Sequence, residues 1–196
     1  MKAIMLNKLP YSIKINNKKY FINTNFRDMI SFEMEIQMQD IEDKVKRERF
    51  ILKTLKKWCP AFFKFKYTEE EYHKLIENFL YFYKCGRENY HKSSGSGVSE
   101  SQIFSYLYDD EYIFSAFYSQ YRLDLTEIDH LHWWKYKSLL KGIKNDEIIE
   151  KIKSYRAYKG KDKDMIVLKE YWSLPLDKKL QKELDETAEK LMKYKK

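Results

Sequence analysis

The stretch that decides the fold runs from Ile103 to Ile143, IFSYLYDDEYIFSAFYSQYRLDLTEIDHLHWWKYKSLLKGI, because it is the densest aromatic stretch and carries the clearest helix signals. Asp109 can cap a helix whose first turn holds further acidic side chains, where the helix dipole favours negative charge. Apolar residues then recur at the spacing of one helix face: Ile113, Phe114, Phe117, Tyr118 and Tyr121. The pattern predicts a helix that begins after Asp109 and continues to about Tyr121.

A second helix is predicted in the same stretch, beginning at Asp124 or Thr126 and ending at Gly142, a residue common just after helices. At roughly 100° per residue, one broad arc of this helix carries Ile128, His132, Tyr136, Leu139, Leu140 and Ile143, with Trp133 at its edge. We therefore expect Trp133 to lie in the core.

Trp134 points away from that arc in the predicted helix, on the side that also carries Lys137 and Lys141. A tryptophan on a lysine-bearing side favours a contact with another part of this chain or with a partner. Trp134, Lys137 and Lys141 are therefore the candidate protein-interaction residues of this stretch.

The rest of the chain predicts a mainly α fold with one small β-hairpin near the N-terminus. Residues 12–23, SIKINNKKYFIN, alternate apolar and polar side chains on either side of Asn16-Asn17, and asparagine tolerates the positive φ of tight turns. Thr68 and Glu71 have the spacing of a capping box. Further helices are predicted at about 25–36, 42–58, 68–85 and 145–152, and a short helix or turn is predicted at 165–172. The second of these has four candidate core residues: Val45, Leu52, Leu55 and Trp58.

We interpret residues 1–175 as a single compact helical domain with a mobile, Ser- and Gly-rich loop at about 87–101. Residues 176–196 follow as an amphipathic C-terminal helical extension. The residues on one side of this predicted helix are spaced 4, 3, 4 and 3 positions apart: Leu180, Leu184, Thr187, Leu191 and Tyr194. This seam either packs onto the body or pairs with another chain, which makes Leu180, Leu184 and Leu191 candidate interaction residues.

Composition and charge limit the classes of partner. The net charge is +8, but 38 basic residues are interspersed with 30 acidic ones, and the lysine excess is equally well explained by an A/T-rich genome. This mixture disfavours specific nucleic-acid binding, and the run Lys44 to Arg49 is better interpreted as a solvated helix face. No apolar run approaches the roughly 20 residues that span a bilayer. The sequence therefore predicts a soluble, unprocessed cytoplasmic protein without membrane partners.

No catalytic, cofactor or metal site is predicted. His130 and His132 are two residues apart and so do not face each other on a helix. The acidic run at Asp109 is explained by helix capping. Cys59 and Cys85 lack the spacing of metal ligands, and we expect buried free thiols. These observations indicate a protein that is not an enzyme.

The stretch from Ser105 onward resembles the bacteriophage gene-product-fifteen proteins, a family of long-tailed phages and prophages of Gram-positive hosts. The most specific shared motif is Leu131-His132-Trp133-Trp134-Lys135-Tyr136. The other matching segments are Tyr108 to Ile113, Ala116-Phe117 with Tyr121, Leu123-Asp124-Leu125, Leu139 to Gly142, Tyr155-Arg156 and Lys169 to Leu174. Near the N-terminus the family has Asp-Phe-Arg after a hairpin, and here Asn25-Phe26-Arg27 keeps a capping residue at the first position. The resemblance covers about residues 10–175.

The resemblance implies a role in phage tail morphogenesis, because the family's genes lie close to the tape measure gene. It implies a tail assembly chaperone that coats the tape measure protein in the host cytoplasm, helps to recruit tail tube protein and self-associates. A chaperone for an amphipathic helix needs an apolar groove with a charged rim, and Trp134, Lys137 and Lys141 are candidates for one wall. The alternatives are a structural tail component that stays in the virion and a nucleic-acid-binding or host-takeover protein.

Overall fold

The computed structural model describes residues 7–38, 44–87 and 103–175. These residues form helices and one two-stranded antiparallel sheet, which confirms the predicted mainly α fold with an N-terminal hairpin. The α-helices are α1 (Phe26–Met38), α2 (Lys44–Trp58), α3 (Glu69–Tyr83), α4 (Asp110–Tyr121), α5 (Trp133–Lys141), α6 (Ile148–Ala157) and α7 (Lys163–Tyr171). A 3₁₀ turn occupies Phe62–Lys64. Most of the predicted loop at 87–101 and all of the predicted helix at 176–196 lie outside the described residues.

The described residues fall into two compact units. The first contains the described residues up to 87 together with 105–151, and the second contains 103–104 and 152–175. The interpretation of residues 1–175 as one domain stays a prediction.

The hairpin consists of β1 (Ser12–Ile15) and β2 (Lys18–Phe21). Asn16 and Asn17 have φ values of 45° and 65°, the left-handed conformation that a tight hairpin turn needs and that asparagine tolerates. Ile13 pairs directly with Tyr20, and both side chains are buried. The hairpin thus buries one face on the first unit, where β1 packs against α3.

Local capping sets the ends of two helices. The predicted capping box at α3 is present, with Glu71 N–H donating to Thr68 Oγ1 at 3.2 Å and Thr68 N–H donating to the Glu71 carboxylate at 2.9 Å. At α1, Asn25 Oδ1 accepts from Arg27 N–H at 3.1 Å, so asparagine does perform the expected capping role.

Two local predictions were wrong in detail. Val45 is 54% exposed, since the first turns of α2 project charged side chains into solvent and the buried face begins at Phe50. Asp109 precedes α4 but makes no side-chain capping bond there. Its carboxylate is buried and accepts instead from Ser105 N–H at 2.9 Å. This bond closes the turn between Ser105 and Asp109 that precedes the helix.

The centre of the first unit is a stack of aromatic rings around Tyr136, which has no exposed surface. The ring centroids of Phe26, Phe117 and Trp133 lie 5.0, 5.2 and 5.7 Å from that of Tyr136. These rings come from α1, α4 and α5, and each of the three is stacked on Tyr136 at an interplanar angle of 27°, 12° and 17°, respectively, an arrangement that aromatic pairs favour. Of the predicted apolar arc, Tyr136, His132 and Ile143 are buried, whereas Ile128, Leu139 and Leu140 are only partly buried.

The helix predicted to begin at Asp124 or Thr126 begins only at Trp133. Residues 122–132 form turns because the Arg27 side chain binds their carbonyl oxygens, at 2.5 Å for Ile128 and 2.7 Å for Leu125. Phe26 N–H also donates to Leu131 O at 2.9 Å. Carbonyls that accept from another segment are not available to a helix ladder, so tertiary contacts override the local pattern.

The second unit contains α7 and the part of α6 from Ile152 onward. Asp162 caps α7 by accepting from Met165 N–H at 3.0 Å. Arg156 is buried, and its Nε donates to Trp172 O at 2.6 Å while its Nη1 donates to Ile103 O at 3.2 Å. One guanidinium therefore holds both the end of α7 and the segment before Phe104.

Candidate functional site

His132 marks the start of α5 and is almost completely buried. Its Nδ1 accepts from Trp134 N–H at 3.1 Å, so the imidazole caps the helix. Its Nε2 lies 3.1 Å from Pro10 O, and a carbonyl oxygen can only accept. Both contacts are satisfied together only by the neutral tautomer with the proton on Nε2. Burial lowers the pKa of His132 in agreement with this neutral form.

Trp133 and Trp134 attach α5 to the C-terminal end of α3. Trp133 Nε1 donates to Tyr83 O at 2.9 Å, and Trp134 Nε1 donates to Phe82 O at 2.7 Å. The last carbonyls of a helix lack intrahelical donors, and a buried indole N–H needs an acceptor. Two consecutive tryptophans thus satisfy two consecutive carbonyls.

Gly86 permits the close approach of Trp134. It has a φ of 68°, and a Cβ at this position would lie 2.7 Å from Trp134 Cη2 and 3.0 Å from the Tyr81 hydroxyl. A glycine is therefore required both by the left-handed backbone and by the space that the indole occupies. We refer to His132, Trp133, Trp134 and Gly86 with the end of α3 as the indole lock.

The indole lock corrects the predicted position of Trp134. The prediction placed Trp134 outside the core, but this side chain is only 3% exposed. The reason is that α5 is covered on more than one side: Tyr136 packs against α1 and α4, and the Trp134 indole packs against the C-terminal end of α3. Of the two contacts expected for Trp134, the structure has the one with another part of this chain.

Lys137 and Lys141 differ in their surroundings. Lys137 Nζ lies 3.4 Å from Glu33 Oε1 and 5.0 Å from the centroid of the Trp133 ring, and its side chain is 20% exposed. Lys141 is exposed at the end of α5. The groove wall of Trp134, Lys137 and Lys141 stays a prediction, and of the three side chains only Lys141 is exposed in this structure. Leu180, Leu184 and Leu191 lie outside the described residues.

The two thiols are free, and their surroundings keep them protonated. Cys59 is buried, and burial raises its pKa. Cys85 is only half-buried, contrary to the prediction, yet desolvation still raises its pKa to about 11. A protonated thiol is a poor nucleophile and a poor metal ligand. Within residues 7–38, 44–87 and 103–175, no three His, Cys, Asp or Glu side chains come together as a metal site.

A small cleft of about 120 Å³ lies between α1 and α2, over Trp58. Its charged side chains pair with each other: Lys53 with Glu35 at 3.1 Å, and Lys57 with Asp28 at 2.5 Å. These pairs join the two helices, so the cleft is explained by their packing.

A surface that the sequence interpretation did not identify lies on β2, the last turn of α2 and the segment after α2. We define the lysine–phenylalanine surface as Lys18, Lys19, Phe21, Lys56, Phe63 and Phe65. Phe21 is 69% exposed and Phe65 is 58% exposed. The sequence contained one signal for this surface, the absence of acidic side chains: residues 11–27 and 49–68 contain no Asp or Glu. Alternation placed Phe21 on the outer face of the hairpin but did not show which segment lies beside it.

Within residues 7–38, 44–87 and 103–175, no helix combines the length and the apolar character that crossing a bilayer requires.

Residues 5–184 match the family described as Bacteriophage Gp15 protein. Searches of curated proteins and of solved structures found no significant match. The matched range contains Asn25-Phe26-Arg27 and the His-Trp-Trp motif, which contact each other through the Asn25–His132 bridge, as well as Arg156 with the end of α7. Because the match extends over almost the whole chain, the protein belongs to the Bacteriophage Gp15 family.

Proposed function

We propose that this chain is a phage tail assembly chaperone that binds the tape measure protein during tail morphogenesis. The observation that carries the proposal is the family match over residues 5–184, together with the tail-module position that the family resemblance implies. In this proposal the protein acts in the host cytoplasm, catalyses no reaction, self-associates and has the tail tube protein as a further candidate partner.

Exposed aromatic and aliphatic side chains support a role in protein contacts. Phe21 and Phe65 are largely exposed on the first unit, and Val167 and Tyr171 are exposed on α7 in the second. Aromatic residues are enriched at the centres of protein interfaces, where their rings lose contact with water. The indole lock, in contrast, has an internal role and leaves the partner surface to other residues.

The C-terminal seam is the second candidate contact and rests on sequence alone. Leu180, Leu184 and Leu191 would lie on one side of a helix, as in a short coiled coil. Lys141 stays a candidate for a charged rim because its side chain is exposed.

The test is co-expression with the phage's own tape measure protein, followed by size-exclusion chromatography with light scattering. We expect the tape measure protein to be insoluble when expressed alone and soluble in a complex that contains several copies of this chain. If the two proteins elute apart while this chain is a defined oligomer, the chaperone proposal is wrong. Mass spectrometry of purified particles then tests the virion-component alternative.

A matched pair of variants tests the seam. Leu184→Lys should weaken the complex because it places a charge in the apolar seam, whereas Glu183→Lys introduces the same side chain one position outside it. Equal complex formation by both variants and the parent would exclude the seam as the contact.

A further inference from the structure

We propose that the lysine–phenylalanine surface binds an acidic polypeptide segment that carries apolar side chains. This inference goes beyond the tape measure proposal, because it assigns a recognition chemistry to a defined surface and does not depend on which protein supplies the segment.

The surface is formed by two chain segments that lie side by side. Cys59 Sγ donates to Phe21 O at 3.7 Å, the Tyr20 ring lies 5.5 Å from the Phe62 ring, and Lys18 Nζ lies 5.7 Å from the Phe65 ring centroid. The segment after α2 therefore runs along β2 from Phe21 to Lys18. Residues far apart in sequence therefore meet along this edge of the hairpin, with Lys18 on the same face of β2 as Tyr20, and Lys19 and Phe21 on the other face.

The charge of this surface is one-sided. Lys18, Lys19 and Lys56 are exposed, and neither contributing segment contains an acidic residue. Glu71 of α3 interacts electrostatically with Lys18, but its carboxylate already accepts from Thr68 N–H at 2.9 Å and from Asn16 Nδ2 at 3.1 Å. A carboxylate supplied by a partner would complement the remaining ammonium groups.

The apolar part of the surface consists of phenylalanines next to those lysines. Lys19 Nζ lies 5.1 Å from the Phe21 ring centroid, and Lys56 Nζ lies 5.9 Å from that of Phe63. A partner that alternates carboxylates with apolar side chains can pair with each ammonium and cover the neighbouring ring. Burial of rings as exposed as Phe21 and Phe65 then adds hydrophobic stabilisation.

The same arrangement favours a polypeptide over single-stranded nucleic acid. Nucleic-acid binding surfaces of this kind offer aromatic ring faces on which bases stack. Here the three phenylalanine rings each have a lysine ammonium over one face. A stacked base must compete with that ammonium, whereas a carboxylate binds to it directly.

The binding experiment uses the full chain and a synthetic fluorescent peptide that places Glu and Leu on a repeating helical pattern. The reference peptide has Gln in place of every Glu. Fluorescence anisotropy should show binding of the Glu peptide that is at least about tenfold tighter than that of the Gln peptide. Equal affinity for the two peptides would overturn the proposal.

Two variants locate the binding on this surface. Lys18→Glu with Lys19→Glu should weaken binding of the Glu peptide about tenfold, whereas the equally charged control Lys159→Glu with Lys161→Glu on the second unit should not. Phe21→Thr should weaken it about fivefold, and Tyr171→Thr, at another exposed aromatic, should not. Unchanged circular dichroism and thermal unfolding establish that each variant is folded, and Phe21→Thr keeps the test valid if the double lysine variant unfolds.

Three further results would overturn the proposal. Equal weakening by the Lys159 and Lys161 control means that only total charge matters. Tighter binding of oligo(dT) than of the Glu peptide, lost in the Lys18 and Lys19 variant, means that the surface binds nucleic acid. Self-association that this variant abolishes in light scattering means that a second copy of the chain occupies the surface.

Discussion

The indole Nε1 of Trp134 donates to the main-chain oxygen of Phe82 at 2.7 Å, and both residues are buried. The same oxygen accepts from Cys85 N–H at 2.9 Å, so the end of α3 is bonded by its own turn and by α5. The Trp134 ring also lies 6.2 Å from the Phe82 ring. A residue that looks like a surface tryptophan in sequence is thus a connection between two helices.

Replacing Trp134 should destabilise the fold. Trp134→Phe keeps much of the packing but removes the donor to Phe82 O, and we expect a loss of about 1–2 kcal/mol in the free energy of unfolding. Trp134→Ala also leaves a cavity and should cost about 3–5 kcal/mol. Urea denaturation measures both, with Lys141→Ala on the same helix as the control. A cost below that of the control for Trp134→Phe would show that the bond contributes nothing.

Gly86→Ala should be strongly destabilising for its size. The added methyl group would meet Trp134 Cη2 at 2.7 Å while the backbone stays at a φ of 68°, so strain and overpacking act together. We expect a loss of about 2–4 kcal/mol in the free energy of unfolding. Gly142→Ala is the matched control, because its φ is −92° and its nearest contact is the movable Tyr121 hydroxyl. Equal costs at the two glycines would contradict this explanation.

Acidification should weaken the fold through His132. Burial lowers the pKa of His132 below its ordinary value of about 6.5, so the unfolded chain takes up the proton first as the pH falls. The stabilisation from the neutral ring is therefore complete above about pH 6.5 and is lost as the pH falls toward the folded-state pKa, by at most about 1.4 kcal/mol per pH unit.

His132→Asn tests this linkage, since asparagine can still cap α5 but does not titrate. The difference in unfolding free energy between parent and variant should shrink as the pH falls below about 6.5. A difference that stays constant down to about pH 5 would mean that His132 does not contribute to acid sensitivity.

Arg27→Lys should loosen the turns before α5. An ammonium cannot reach the Leu125, Thr126 and Ile128 carbonyls at once, as the planar guanidinium does. We expect about 1–3 kcal/mol of destabilisation and faster amide hydrogen exchange within residues 122–132. Arg122→Lys, at an exposed position within the same turns, is the control. Unchanged exchange in the Arg27 variant would show that the turns are held by other contacts.

Some features could be predicted because they depend on neighbours in sequence. The hairpin turn at Asn16-Asn17 and the capping box at Thr68 need only local spacing, and both are present. The burial of Ile113 and Phe117 on α4 and of Tyr136 on α5 follows from helical periodicity, whereas Tyr118 of the predicted stripe is 50% exposed. Local chemistry therefore indicated the fold class and most of the helices.

The remaining features depend on contacts between distant residues. Arg27 binds carbonyls about a hundred positions later, and no local pattern shows that these carbonyls are taken from a helix. The partner of the Trp134 indole is likewise 52 positions away. The lysine–phenylalanine surface requires β2 and the segment after α2 to be adjacent. The site could not be assembled from spacing along the chain alone.

Hydrogen exchange at the tryptophan indoles tests the indole lock most directly. In ¹H–¹⁵N spectra, Trp→Phe variants assign the four indole N–H signals, and exchange into deuterated buffer gives the rate at each one. The structure predicts that the Trp133 and Trp134 indole protons exchange only through global unfolding, because both are bonded to the end of α3. If the Trp134 proton exchanges as fast as that of free tryptophan, this side chain is open to solvent and the account of the motif as an internal connection is wrong.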